Sequence, residues 1–181
     1  MNDIRSLYEE VILDHNRRPR NFQKNPPGAD HHGHGFNPVC NDEFQVHLRI
    51  EDGVIRDIGF EGAGCAISTA SASIMTEAVK GKRVEEAERL FHGVQDMLIR
   101  DGTGENLGKV SILAGVREYP MRVKCATLAW RVLHAALENR PDTVTTENPS
   151  YVAPPGCAVP AEEEASDIDN ADGKSGARGS R

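Results

Sequence analysis

Residues 44–60 place the tightest constraint on what this chain can fold into. Phe44, Val46, Leu48 and Ile50 are apolar and alternate with Gln45, His47 and Arg49, the period-2 pattern of a strand with one face in the core. Asp52-Gly53 supplies residues that tolerate a left-handed turn, and residues 54–60 form a second apolar run. Together they predict an antiparallel hairpin, which Gly62-Ala63-Gly64 is expected to stop.

Helical patterns flank the hairpin. Ile4, Leu7, Tyr8, Val11 and Ile12 recur at helical spacing until Arg18-Pro19. Residues 25–37 are rich in Pro, Gly and His without a period, and read as a loop leading to Pro38 and Cys40. Ile67, Ala70, Ile74 and Ala78 mark one face of a helix over 66–80, with Gly81 as its C-cap. A more charged helix is expected over 84–91, a Gly-rich loop over 101–108 and a short helix over 107–116, after which Pro120 interrupts. The last helix, over 126–138, buries Ala129, Val132, Leu133, Ala136 and Leu137, and Pro141 lies just beyond it. A small antiparallel sheet followed by several helices defines an α+β domain with helices packed on one face of the sheet.

A chain of 181 residues, 38% of them apolar, suffices for one such domain, assigned to residues 1–141. From Asp142 onward eight acidic residues face three basic ones, so residues 142–181 carry minus five of the formal net minus seven. With few large apolar side chains to offset the cost of ordering, this segment is expected to be a disordered acidic tail. The near-neutral remainder lacks the basic field that nucleic-acid binding needs. The opening MNDIRSLYEE has no apolar signal region, and no stretch reaches the length of a membrane span. A cytoplasmic protein with no membrane association is expected. In that reducing compartment Cys40, Cys65, Cys125 and Cys157 point to metal binding or thiol chemistry rather than disulfides.

Cys40 and Asp42 share parity with Phe44 and Val46, so an extended backbone directs both to the core side. Cys65 stands between a glycine-rich turn and a helix start, where free N–H groups and the helix dipole favour a thiolate. Cys125 is read in the same position before the 126–138 helix. Two such thiols and a Cys-x-Asp pair compose a candidate four-ligand tetrahedral zinc site. Three thiolates and a carboxylate around a divalent ion leave about minus two charges, and Arg122 and Lys124 stand just before Cys125. The carboxylate is the harder, more exchangeable ligand, which suits a site that must open. The plainer alternative makes Cys65 and Cys125 small core residues, Asp42 a turn or cap residue and Lys124 a solvated charge. His31, His32 and His34 could form an extra cluster near Cys40, although a solvated loop accounts for them more simply. His47 falls on the polar face of its strand.

Four runs carry a resemblance: Leu7-Tyr8, Val11-Ile12 and Asp14-His15 with Pro19-Arg20-Asn21; Pro38-Val39-Cys40-Asn41-Asp42; residues 60–75; and residues 124–130. In this order, covering most of residues 4–138, they resemble the SufU family, relatives of the IscU and NifU-like iron-sulfur cluster assembly proteins. The resemblance implies an IscU-like α+β fold with Cys40, Asp42, Cys65 and Cys125 as zinc ligands. It implies that Cys40 accepts persulfide sulfur from a pyridoxal-phosphate cysteine desulfurase of the SufS type, for a downstream cluster-assembly scaffold. In that family the desulfurase is held to offer a replacement ligand that releases Cys40, while Arg122 and Lys124 tune charge or contact the partner. His15, in the opening motif, is expected to pack or cap.

Two features favour SufU over IscU: Lys124 stands where the scaffold branch has histidine, and an extra segment lies within residues 93–113. Asn41 replaces the family's usual glycine, and asparagine is among the better residues for a left-handed backbone. Cys157 lies outside the matched region and is assigned no ligand role. Two other functions compete. A scaffold for building an iron-sulfur cluster is disfavoured by Lys124, because an ammonium must lose its proton before it can coordinate. A structural zinc module would more often use closed four-thiolate or thiolate-imidazole sets.

Overall fold

The computed structural model describes residues 2–147; Cys157 and most of the expected acidic tail lie outside them. The elements in chain order are α1 (Asn2–Arg17), β1 (His31–Asn37), β2 (Asp42–Glu51), β3 (Val54–Ala63), α2 (Ala66–Val79), α3 (Val84–Ile99), 3₁₀ turns over Gly108–Glu118, α4 (Pro120–Leu137) and β4 (Val144–Thr145).

The β2–β3 hairpin forms as its alternation requires, with Val46 opposite Phe60. Asp52 and Gly53 have φ of 53° and 71°, the two positive values of a type I′ turn. Phe44, Val46, Leu48 and Phe60 are fully buried, each contributing about 1.5–3 kcal/mol. A slip of one residue along β2 would exchange Phe44, Val46 and Leu48 for Gln45, His47 and Arg49, so this face pins the register of β2 and everything attached to it.

β1 corrects the expectation of a loop over 25–37. Gly33, Gly35 and Asn37 point inward while His32, His34 and Phe36 take the other face, a regular alternation in which two inward residues have no side chain. Bareness is what α4 requires here: a Cβ on Gly33 would run into the Val132 carbonyl, and one on Gly35 into the Val132 side chain.

The sheet has the order β3-β2-β1-β4. Its three long strands are antiparallel, but β4 joins β1 in parallel, Gly35 opposite Val144, so the sheet is mixed. Val144 and Thr146 are buried, so the fold extends past the Asp142 boundary. The β-branched run 143–146 carries strand propensity that the acidic character of the longer window obscured.

Three helical bounds also differ. α3 continues to Ile99, burying Val94, Met97 and Leu98. Residues 108–118 wind as 3₁₀ turns. α4 begins at Pro120, because proline at the first helical position has a preset φ and loses no hydrogen bond. α4 packs on β1 and β2, α2 on α4, and α1 on α2, with Trp130 and Met75 fully buried in the shared core. The class is α+β, as expected.

Candidate metal centre

The centre forms where the β1–β2 turn meets the starts of α2 and α4. Asp42 opens β2 on the parity of Phe44 and is fully buried. Asn41 takes φ 56°, the left-handed conformation expected of the residue in the glycine position. The turn leaves Cys40 exposed. Cys65 is the N-cap of α2, and its Sγ accepts the Ser68 N–H at 3.4 Å. The Cys65 N–H donates to Asp42 Oδ1 at 2.7 Å.

Cys125 departs from its predicted place. Since α4 starts at Pro120, this thiol belongs to the second helical turn, where backbone N–H groups are already used by the helix. Its placement comes from packing: Cys125 is 1% exposed, with Sγ 3.1 Å from Cys40 Sγ.

The ligand atoms of Cys40, Asp42 and Cys125 all lie within 4.8 Å of one another. Cys65 stands outside that group and joins it through its N–H to Asp42 and a thiol contact with Cys125. The hydrogen bond from Cys125, helped by Ser68, outweighs burial and lowers the Cys65 thiol to about 6. The same bond, burial and the nearby Cys40 and Asp42 push the Cys125 thiol well above its ordinary range. Zinc fits this donor chemistry. A tetrahedral ion with Zn–S bonds of about 2.3 Å keeps its sulfurs about 3.8 Å apart, so the Cys40–Cys125 pair needs to open only slightly.

The flanking cations divide. Arg122 is exposed, but Lys124 is fully buried with Nζ 2.7 Å from Glu147 Oε1. Lys124 is therefore neither a solvated charge nor a surface for a partner, because α4 turns it inward. The three histidines of β1 do not join the centre. His31 pairs with Asp30, His34 with Glu43, and His32 meets the His47 ring at 2.8 Å. His47 lies on the polar face as expected, yet is only 6% exposed. His15 packs, its Nδ1 2.8 Å from Ser73 Oγ. Asn37, which nothing in the sequence singled out, is fully buried against Asp42 and Cys125. Its inward parity becomes visible only once β1 is recognised as a strand. A cavity of about 1190 Å³ lies along α1, α2 and the 3₁₀ turns and is lined by none of the four candidate ligands.

The chain matches the NifU-like N terminal domain family over residues 7–144. It is 39% identical over 136 residues to the iron-sulfur cluster assembly scaffold protein IscU of Thermotoga maritima, covering 75% of this chain and 95% of that one. To the zinc-dependent sulfurtransferase SufU of Bacillus subtilis it is 38% identical, covering 72% and 89%. A solved structure assigned as a SUF-system cluster assembly scaffold of Fervidobacterium islandicum AW-1 superposes with a TM-score of 0.66 at 34% identity, covering 71% and 94%. The chain belongs to the NifU-like N-terminal domain family and is of the IscU/SufU type. The resemblance read from its motifs therefore holds. Near-equal identity to a scaffold and to a sulfurtransferase leaves the choice between these activities to individual residues. Among the described residues no helix is long and apolar enough to cross a membrane.

Proposed function

We propose that this chain is an iron-sulfur cluster assembly protein that binds zinc through Cys40, Asp42, Cys65 and Cys125 and carries sulfur on Cys40. The observation that supports this most is an asymmetry of burial: Cys40 is exposed, whereas Asp42 and Cys125, within 4.8 Å of it, are enclosed. One donor can swing outward while the others stay fixed. Bound zinc would supply charge that keeps the Cys40 sulfur a thiolate.

The donor of sulfur is a pyridoxal-phosphate cysteine desulfurase of the SufS type carrying a cysteine persulfide. The Cys40 thiolate attacks the outer sulfur of that persulfide. A sulfur–sulfur bond forms on Cys40, the bond to the desulfurase cysteine breaks, and that cysteine leaves as a thiolate, so no separate oxidant or reductant is consumed. Arg122, exposed on the first turn of α4, is available to a docked partner. A downstream cluster-assembly scaffold then receives the sulfur. The reducing cytoplasm, where free thiols persist, is the fitting compartment.

A scaffold for cluster building is the second reading, supported by the identity to IscU. Lys124 weighs against it, since its ammonium is engaged by Glu147 at 2.7 Å and cannot coordinate while protonated. A structural zinc module would leave the exposure of Cys40 without a purpose. Mass spectrometry after incubation with desulfurase and cysteine tests the proposal: one extra sulfur atom is expected on the peptide containing Cys40. Extra sulfur only on Cys65 or Cys125, or none while the desulfurase itself carries persulfide, would contradict it.

A further inference from the structure

We propose that Asn37 is a positioning residue of the metal centre: its amide directs Asp42 and Cys125, and Thr146, the residue just after β4, directs the amide. This rests on the cluster being a metal site, but not on sulfur transfer.

Asn37 ends β1 directly opposite Asp42 in the ladder and is fully buried. A buried amide is costly unless its donors and acceptor find partners. Asn37 Oδ1 lies 3.1 Å from the Val39 backbone nitrogen. An N–H can only donate, so the atom facing it must be the oxygen, which removes the usual ambiguity of an amide flip. The NH₂ group must then point the other way, where Asp42 Oδ2 lies at 3.3 Å and Cys125 Sγ at 3.7 Å. Both are acceptors in the ionised form that binds a metal. Asp42 is thereby held at both oxygens, Oδ2 by Asn37 and Oδ1 by the Cys65 N–H at 2.7 Å.

Thr146 completes the arrangement. Its hydroxyl has one proton and two oxygens in reach, Asn37 Oδ1 at 3.1 Å and Glu147 Oε1 at 3.2 Å. The Lys124 ammonium, 2.7 Å from that same Glu147 oxygen, competes for it and favours donation to Asn37. The chain's last described residues thus set the orientation of a side chain that touches two candidate ligands.

The test is zinc affinity of the full chain, measured by competition with a chromogenic chelator, beside the absorption spectrum of the cobalt-substituted protein. Removing an outer partner of a metal ligand typically costs ten- to a hundredfold in affinity, and a loss of about that size is expected for Asn37→Ala. Its cobalt ligand-field bands should shift as the carboxylate reorients. Thr146→Val, nearly isosteric, should shift both in the same direction by less, and Thr146→Ser should restore both. A merely structural role would lower the melting temperature of the metal-free protein and leave affinity and spectrum unchanged. Unchanged affinity in both Asn37→Ala and Thr146→Val overturns the proposal; should Asn37→Ala fail to fold, Thr146→Val decides alone. An unmodified chain that binds no zinc overturns this proposal together with the proposed function. One that binds zinc but never accepts sulfur overturns only the latter.

Discussion

Cys40 and Cys125 present the same atom, their sulfurs 3.1 Å apart, yet the chain holds them in opposite ways. Cys125 is 1% exposed within a helix that packs on the sheet, whereas Cys40 is exposed on a turn whose left-handed Asn41 turns the strand back on itself. Proximity to one candidate metal centre therefore says little about what each thiol can do. Enclosure decides which donor stays and which can leave, because a buried thiol must disturb its neighbours to move and an exposed one need not.

The largest effect should come from emptying the enclosed side. Asp42→Ala leaves the Cys65 N–H without its acceptor and the Asn37 amide with only the Cys125 sulfur, at about 1–3 kcal/mol for an unsatisfied group, and removes a proposed ligand. Denaturant unfolding and metal analysis should show a large loss of both stability and zinc; retention of zinc would mean that the carboxylate is not a ligand. Glu147→Ala comes next. It removes the carboxylate from the buried Lys124 ammonium, and since Glu147 is 27% exposed the expected loss is about 2–3 kcal/mol rather than the full cost of breaking an enclosed pair. No measurable loss would show that the 143–147 segment is not clasped through this pair.

A third substitution tests whether the enclosed centre is independent of the distant scaffold. Burial raises the Asp57 carboxyl, but hydrogen bonds from Lys24 and Lys80, at 2.6 and 2.8 Å, outweigh it and bring the group to about 2. A carboxylate depressed in the folded state contributes stability that is complete above its unfolded value and is lost as pH falls through the folded one. Asp57→Asn should therefore lower neutral-pH stability by about 1–2 kcal/mol and flatten its decline between about pH 4 and 2. Zinc affinity should not change; a drop would couple the scaffold to the centre. The smallest effect belongs to the rim: Cys40→Ser should alter the stability of the metal-free protein by less than about 0.5 kcal/mol, as exposed substitutions usually do. A loss as large as that of Asp42→Ala would erase the distinction between rim and interior.

The hairpin was legible because Phe44, Val46, Leu48 and Ile50 supply large side chains at every inward position. β1 obeys the same period, but its inward residues Gly33 and Gly35 are defined by what α4 needs to avoid, a constraint that does not register as hydrophobicity. The candidate ligands stood out in the sequence as residue types in a motif. Their surroundings stood out less: Pro120 as a helix start moved Cys125 into the second turn, and the burial of Lys124 depends on Glu147 across the fold. Asn37 was invisible for the same reason as β1, since its inward direction follows only from the strand.

The central claim, that the exposed ligand is the sulfur acceptor, is tested most directly by sulfide release. The full chain is mixed with a cognate pyridoxal-phosphate cysteine desulfurase, cysteine and a reductant. The unmodified protein should raise the rate severalfold, and Cys40→Ser should abolish that stimulation even in preparations that retain their zinc. A Cys40→Ser protein that keeps its metal and stimulates as well as the unmodified chain would contradict the account.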